Sequence, residues 1–180
     1  MLPSLADRIE RPLAALERLL GWLLLSMLVL VFFTVLLRYL LPGFGWRFES
    51  TALSELVLVL HSTVFLLGVA VVIQSNQHVR VDLLHARFSA RSRALIEILG
   101  SLFLLLPFAL VLIGQSLGYV AASFGLNEAS QDASGLPAWY LWKALIPLSG
   151  GLLLVAVFAQ LLRQISAWRS AELQPGDGQA

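Results

Sequence analysis

The reading of the fold turns on Leu19–Leu37, LLGWLLLSMLVLVFFTVLL, a stretch without a single charge, closed by Arg18 before it and Arg38 after it. At ~1.5 Å per residue, a helix of this length nears the ~30 Å of hydrocarbon in a bilayer. Three further runs have the same character. Leu56–Ile73, with Glu55 just before it, has only His61 as an ionisable group inside, Ile98–Phe124 lies between Glu97 and Glu128, and Ala144–Leu162 lies between Lys143 and Arg163. None alternates as the ~10-residue strands of a membrane barrel do. The expected fold is therefore an all-α membrane protein with four transmembrane helices, spans about 19–41, 50–73, 96–122 and 141–163, inside a membrane domain covering 18–169. The first run is longer than the ~7–15 residues of a signal-peptide core and ends in no small-x-small site, so a retained helix is expected.

Composition agrees with this reading. Of the 180 residues, 58% are hydrophobic and 13% charged, against roughly 45–50% and ~25% in soluble domains. So short a chain cannot hide that much apolar surface in one soluble core. A soluble enzyme, a nucleic-acid partner and a disordered linker are poor readings. Cysteine is absent, which removes disulfides and thiol chemistry. His61, His78 and His85 are too scattered for a metal site, and no nucleophile–base pair, phosphate loop or carboxylate cluster occurs. Neither catalysis nor a cofactor of its own is expected.

The net charge of +1 conceals an asymmetry. Arg8, Arg11, Arg18, Arg80, Arg87, Arg91, Arg93, Arg163 and Arg169 fall on one side of the four spans, and only Arg38, Arg47 and Lys143 on the other. Basic residues favour the cytoplasm, so both termini and the middle loop are expected there. Tyr39, Trp46, Tyr119, Trp139, Tyr140 and Trp142 mark the outer interface, and Trp22 and Trp168 the inner one.

Between the spans, Leu5, Ile9, Leu13, Leu16 and Leu20 recur at helical spacing. Residues 1–17 thus read as an amphipathic segment, either interfacial or an extension of the first span, with Pro12 interrupting it. The middle loop places Arg80, Arg87 and Arg91 on one helical face, with Asp82 as N-cap. That describes an interfacial helix between spans 2 and 3, with Arg80, Arg87, Arg91 and Arg93 touching anionic lipid head groups. Residues 170–180 read as a disordered tail. Leu126–Lys143 is a turn-rich outer loop, with Pro137 near the start of the fourth helix. Gly114 and Gly118 form a small-xxx-small pair that allows close helix approach. Pro107 and Pro147 are expected to kink spans 3 and 4.

Few residues carry candidate chemistry. Glu55 sits just inside the outer end of span 2, where an acid is either a satisfied pair, with Arg38 or Arg47 as partner, or a proton or ion group. His61 is the one ionisable side chain near mid-membrane. It lies on a different face from Glu55 at ~100° per residue, and a hydrogen bond to a neighbouring helix is the ordinary expectation. His78 and Asp82, four apart, suit a local bond or cap.

Larger motifs go further. Arg38-Tyr39 ends the first span, and Trp46 precedes the helix bearing Glu55 and then Phe65-Leu66-Leu67-Gly68. His78-Val79-Arg80-Val81-Asp82 follows, and later Gly135-Leu136-Pro137-Ala138-Trp139, Lys143 and Ile146-Pro147-Leu148. Together these resemble the small permease subunit of tripartite ATP-independent periplasmic (TRAP) transporters, the DctQ-like family, over about Arg18–Arg163. One departure is that the family often has two adjacent acids where this chain has Ser54-Glu55.

The resemblance implies a bacterial inner-membrane complex with two protein partners. A periplasmic substrate-binding protein (DctP-like) captures an organic anion, a carboxylate or sugar acid. A large permease subunit (DctM-like) moves it inward on a sodium gradient, with sodium expected in that subunit. The small subunit then serves as scaffold and as part of the docking surface. Arg38, Trp46, Glu55, His61, His78, Arg80, Asp82, Pro137, Trp139, Lys143 and Pro147 are the motif or buried polar positions to follow. The competing hypothesis is an autonomous proton-coupled carrier or channel using Glu55 and His61.

Overall fold

Leu2–Leu40 forms a single helix, α1, that runs through Pro12 without a break. In the computed structural model, residues 2–44, 51–74 and 90–173 are described. The remaining elements are α2 (Thr51–Gln74), α3 (Ala90–Gly100), a π-helical turn (Ser101–Leu105), α4 (Leu106–Gly125), α5 (Trp139–Lys143) and α6 (Leu145–Leu173). Four stretches are long and apolar enough to cross a membrane: Ala14–Phe44, Thr51–Ile73, Arg91–Gly125 and Trp139–Arg169. Among the described residues there is no strand, and the protein is an all-helical, four-span membrane protein.

Each boundary has a local cause. Arg38 occupies the last turn of α1, where a cation meets the negative end of the helix dipole. Leu41–Phe44 then tightens into a 3-10 turn containing Pro42 and Gly43. Pro107 does not simply kink the third span. It lacks the N–H that would bond the carbonyl four residues back, and the preceding turn widens instead, with Leu106 N–H reaching the Ser101 carbonyl. Nor does Pro147 bend the middle of the fourth span. It lies in the first turn of α6, where a missing N–H is tolerated. The chain breaks at Ala144, just where the ring would otherwise crowd the carbonyl of Lys143.

Three further expectations are corrected. Of the segment read as an interfacial helix, only the part from Ala90 onward is described, and it is continuous with the third span, in a run rich in the helix formers Ala, Arg, Leu and Glu and free of proline. Its other members, His78, Arg80, Asp82 and Arg87, lie outside the described residues, as do Trp46 and Arg47. The tail read as disordered from Ser170 is helical as far as Leu173, since Ala171, Glu172 and Leu173 favour helix until Pro175 approaches. Residues 174–180 lie outside the described residues. Pro12 does not interrupt α1, as noted.

The centre of the bundle is α6, which packs against α1, α2, α3 and α4, while α1 also packs on α2. Its row Leu153, Ala156, Val157 and Gln160 follows the i, i+3, i+4, i+7 spacing of one helix face and is buried. The core joins Leu153, Ala156 and Val157 to Ala70 and Ile73 of α2 and Ala109 of α4. A second cluster joins Leu20 of α1 to Leu67 and Val71 of α2. Small residues set the spacing, as in membrane interfaces generally. The decisive glycine is Gly150, where a Cβ would stand 2.6 Å from Ile113 Cγ1 and 3.5 Å from the Ala109 carbonyl. Gly114 and Gly118, the pair expected to mediate close packing, face open space within the chain.

Only 6% of the best window of the first span is buried, against 39% of the last. Trp22 and Tyr39 of α1, 71% and 77% exposed, stand about 26 Å apart along the axis at ~1.5 Å per residue, close to a hydrocarbon thickness.

Candidate functional site

Two polar clusters, one at each end of the bundle, tie the helices together and fix their antiparallel directions. At the end where α1 stops and α2 starts, the connection from α4 to α5 folds over Glu55. The Ser130 hydroxyl donates to Glu55 Oε1 at 2.5 Å, and the Leu136 N–H donates to Oε2 at 2.6 Å. The loop is closed on itself by Ser130 N–H to the Leu136 carbonyl (3.1 Å) and Gly135 N–H to the Asp132 carbonyl (3.0 Å). Asp132 N–H donates back to the Ser130 hydroxyl at 3.1 Å, a local turn of the kind serine favours. One carboxylate of α2 thus serves as the template for a loop some eighty positions later.

This contact makes a specific demand on the backbone. A Cβ at Gly135 would overlap the side chain of Ser130 and lie 2.9 Å from Glu55 Oε2. Further on, Ala138 adopts φ 61°, ψ 45° and turns the chain into α5. A left-handed conformation costs a residue with a Cβ about 1–2 kcal/mol. Asn127, φ 46°, ends α4 in the same region, where asparagine is better tolerated.

Beside this loop lies an ion pair. Lys143 Nζ, in the last turn of α5, stands 2.5 Å from Glu128 Oε2, and the Ser123 hydroxyl donates to the same oxygen at 2.5 Å. These two donors, the ammonium first, hold the Glu128 carboxyl below its ordinary value of 4.5, against the opposing effect of partial burial. Lys143 also sits 4.4 Å above the Tyr119 ring, and Phe124 packs on Tyr140 at 4.7 Å between centroids. Glu55, Glu128, Ser130, Asp132 and Trp139 surround an open polar pocket of about 280 Å³. The Trp139 indole N–H is buried beside Glu55 at this pocket. Although three acids line the pocket, no group of three ligating side chains among the described residues is arranged to hold a metal.

At the opposite end, Glu97 of α3 accepts from Gln160 at 3.2 Å and Gln164 at 3.0 Å, both on α6. The neighbouring Ser101 hydroxyl and Gln160 Oε1 are buried without partners among the described residues. Arg91 lies 4.9 Å over the Trp168 ring, so this arginine has a partner within the chain, and Arg93 stands on the same helix.

The expected positions are distributed unevenly. Glu55, Trp139 and Lys143 gather at the loop cluster, with Pro137 just before the turn at Ala138. Arg38 is exposed at the end of α1, and neutral donors of the loop fill the place at Glu55 expected for it. His61 is exposed on α2, without the expected bond to a neighbouring helix among the described residues, so it does not join Glu55. Pro147 serves the α5–α6 break.

Sequence reasoning missed the template role of Glu55, since backbone N–H donors leave no motif. It also missed the Glu97 cluster, although Gln160 and Gln164, four apart at the C-terminal end of the last span, are a legible signal. The cluster as a whole ties the loop to the helix ends through Glu55 and Glu128.

Comparison with known proteins gives one result. No curated protein and no solved structure matches the chain. The family described as "Tripartite ATP-independent periplasmic transporters, DctQ component" matches residues 27–167, a region that contains the second and third spans whole, most of the first and fourth, and the loop cluster. The chain therefore belongs to the DctQ component family and is a small membrane subunit of a TRAP-type transporter.

Proposed function

We propose that the protein is a stationary scaffold for a large, DctM-like permease subunit and forms part of the docking surface for a DctP-like periplasmic binding protein. The complex takes up an organic anion, a carboxylate or sugar acid, in symport with sodium, and the large subunit binds the sodium. It resides in the bacterial inner membrane with both termini cytoplasmic, as the nine-to-three distribution of basic residues favours. Arg93 and the arginines before it meet lipid head groups.

The observation that carries this reading is the loop 126–138, anchored at Glu55 by two hydrogen bonds and beside the Glu128–Lys143 pair. A soluble partner docks well on a preorganised surface, because ordering has already been paid for before contact. The lipid-length apolar helices beneath it, mostly unburied within the chain, provide area for lipid and for a larger membrane partner.

The test is reconstitution into liposomes under a sodium gradient. Uptake is expected only when this chain, the large permease and the binding protein are all present. Solute flux through the chain alone, abolished by Glu55→Gln and His61→Ala, would overturn the scaffold reading in favour of an autonomous carrier.

A further inference from the structure

The side chains along one face of α2 are exposed at regular spacing: Ser54, Leu58, His61 and Phe65. These positions follow i, i+4, i+7, i+11, a single helical stripe. Leu58 and Phe65 are 54% and 65% exposed. Between the apolar Leu58 and Phe65, the stripe carries one polar side chain, His61, where a lipid-facing surface should be apolar. His61 lies about 15 Å from Thr51 and about 20 Å from Gln74 along the axis, near the middle of the hydrocarbon and beyond the reach of either interface.

Hydroxyl groups at this depth look after themselves. Ser62 donates to the Leu58 carbonyl at 2.8 Å and Thr63 to the Val59 carbonyl at 2.7 Å, the usual device for such side chains inside a membrane. The imidazole of His61 has no comparable bond among the described residues. Its N–H, left against acyl chains, carries the full desolvation penalty of an unpaired donor.

A groove of about 240 Å³ adjoins the stripe, walled by Leu58 and Ser62 of α2 and by Tyr119 of α4, with Ile146 of α6 also lining it. Because Leu58 belongs to both, stripe and groove form one surface. Gln115 of α4 lies one turn deeper than Tyr119 on the same row and is exposed too. It stands about 15 Å from Gly125. Two exposed polar groups at matching depth, beside an apolar slot, are complementary to a helix that carries polar groups of its own at that depth and not to lipid tails.

We propose that this face of α2, with the adjoining groove, seats a transmembrane helix of the large permease subunit, which presents a hydrogen-bond acceptor to the His61 N–H at mid-membrane. The inference rests on the reading of the chain as a subunit of a larger membrane complex and adds which face does the binding. The residue is exposed, so its replacement leaves the fold of this chain in place, as circular dichroism of the variants will record.

The experiment places a benzophenone amino acid at Leu58 or Phe65, and at Phe32 of α1 and Phe103 of the π turn, in the chain co-expressed with a DctM-like large permease subunit. Adducts to the large subunit are expected from Leu58 and Phe65, at least tenfold more than from Phe32 and Phe103. His61→Leu is expected to weaken co-purification roughly three- to thirtyfold, the range set by one interhelical hydrogen bond in a membrane, and His61→Gln to restore much of it by keeping an N–H donor. A wild-type complex that crosslinks only through Phe32 or Phe103 overturns this inference while leaving the subunit reading intact. Adducts from Phe65 only to lipid, or only to a second copy of this chain, overturn it equally. If the wild-type chain forms no complex with the permease at all, the subunit reading itself fails and this one with it.

Discussion

Replacing Gly135 by alanine puts the Glu55 template to its sharpest test. The new Cβ would overlap the Ser130 side chain and stand 2.9 Å from Glu55 Oε2. Ser130 cannot swing away cheaply, because its side chain is short, its hydroxyl is committed to Glu55, and its own N–H bonds the Leu136 carbonyl. Overpacking a tight contact costs about 1–3 kcal/mol. Against this, alanine restricts the unfolded chain and returns about 0.4–1 kcal/mol. The net expectation is a loss of about 1–2 kcal/mol, a ten- to thirtyfold shift in the folding equilibrium at the upper half of that range.

Equilibrium unfolding by SDS titration in mild detergent measures this quantity directly. Gly118→Ala is the matched control, since nothing lies within 4 Å of a Cβ there and alanine favours helix by up to about 1 kcal/mol. The double variant Ser130→Ala with Gly135→Ala should lose less than the sum of the singles by at least about 0.5 kcal/mol, because both act on one contact. A Gly135→Ala protein as stable as wild type, or a Gly118→Ala protein as damaged as Gly135→Ala, refutes the close packing of loop on carboxylate.

Three other outcomes are expected. The Glu128 carboxyl is held below its ordinary 4.5 by Lys143 and Ser123, so its stabilisation is complete above that pH and is lost as pH falls through the lower folded value; between pH 7 and 3 the melting temperature of wild type should fall more than that of Glu128→Gln, and parallel curves would contradict the pairing. Ala138→Gly should leave stability unchanged or raise it by up to about 1 kcal/mol, as relief of the left-handed strain outweighs glycine's entropy, whereas a clear loss on SDS titration would mean that φ 61° carries no strain. Gly150→Ala should destabilise by about 1 kcal/mol relative to Gly151→Ala, because only the first Cβ meets Ile113 and the Ala109 carbonyl; equal stabilities would show that α4 and α6 do not approach there.

The helices were legible because the signal is repeated over many residues. A charge-free run of lipid length such as Leu19–Leu37 admits little besides a transmembrane helix, whatever its neighbours do. Family motifs such as Gly135-Leu136-Pro137-Ala138-Trp139 were legible as well. Their physical meaning was not: Gly135 reads as one more turn residue until Ser130 and Glu55 are seen to occupy the space beside it. The small-xxx-small pair misled for a related reason. Gly114 and Gly118 show that a helix can be approached closely, while only packing reveals that Gly150 is the tightly approached helix glycine among the described residues. Pro107 and Pro147 were correctly marked as disturbances, but the relief chosen by the backbone, a π turn in one place and a break at Ala144 in the other, depends on what the surrounding helices permit.

By itself, then, the order of residues determined that the chain lives in a membrane and crosses it four times, since hydrocarbon length and local apolarity are properties of a segment, while its motifs placed it among small permease subunits. Tertiary structure alone decided that Glu55 binds a loop through Ser130 and Leu136 instead of pairing with Arg38, that Glu128 meets Lys143, and that His61 faces outward. Those outcomes depend on which side chains are brought within about 3 Å of one another across long stretches of chain, and no periodicity along the sequence encodes such a distance.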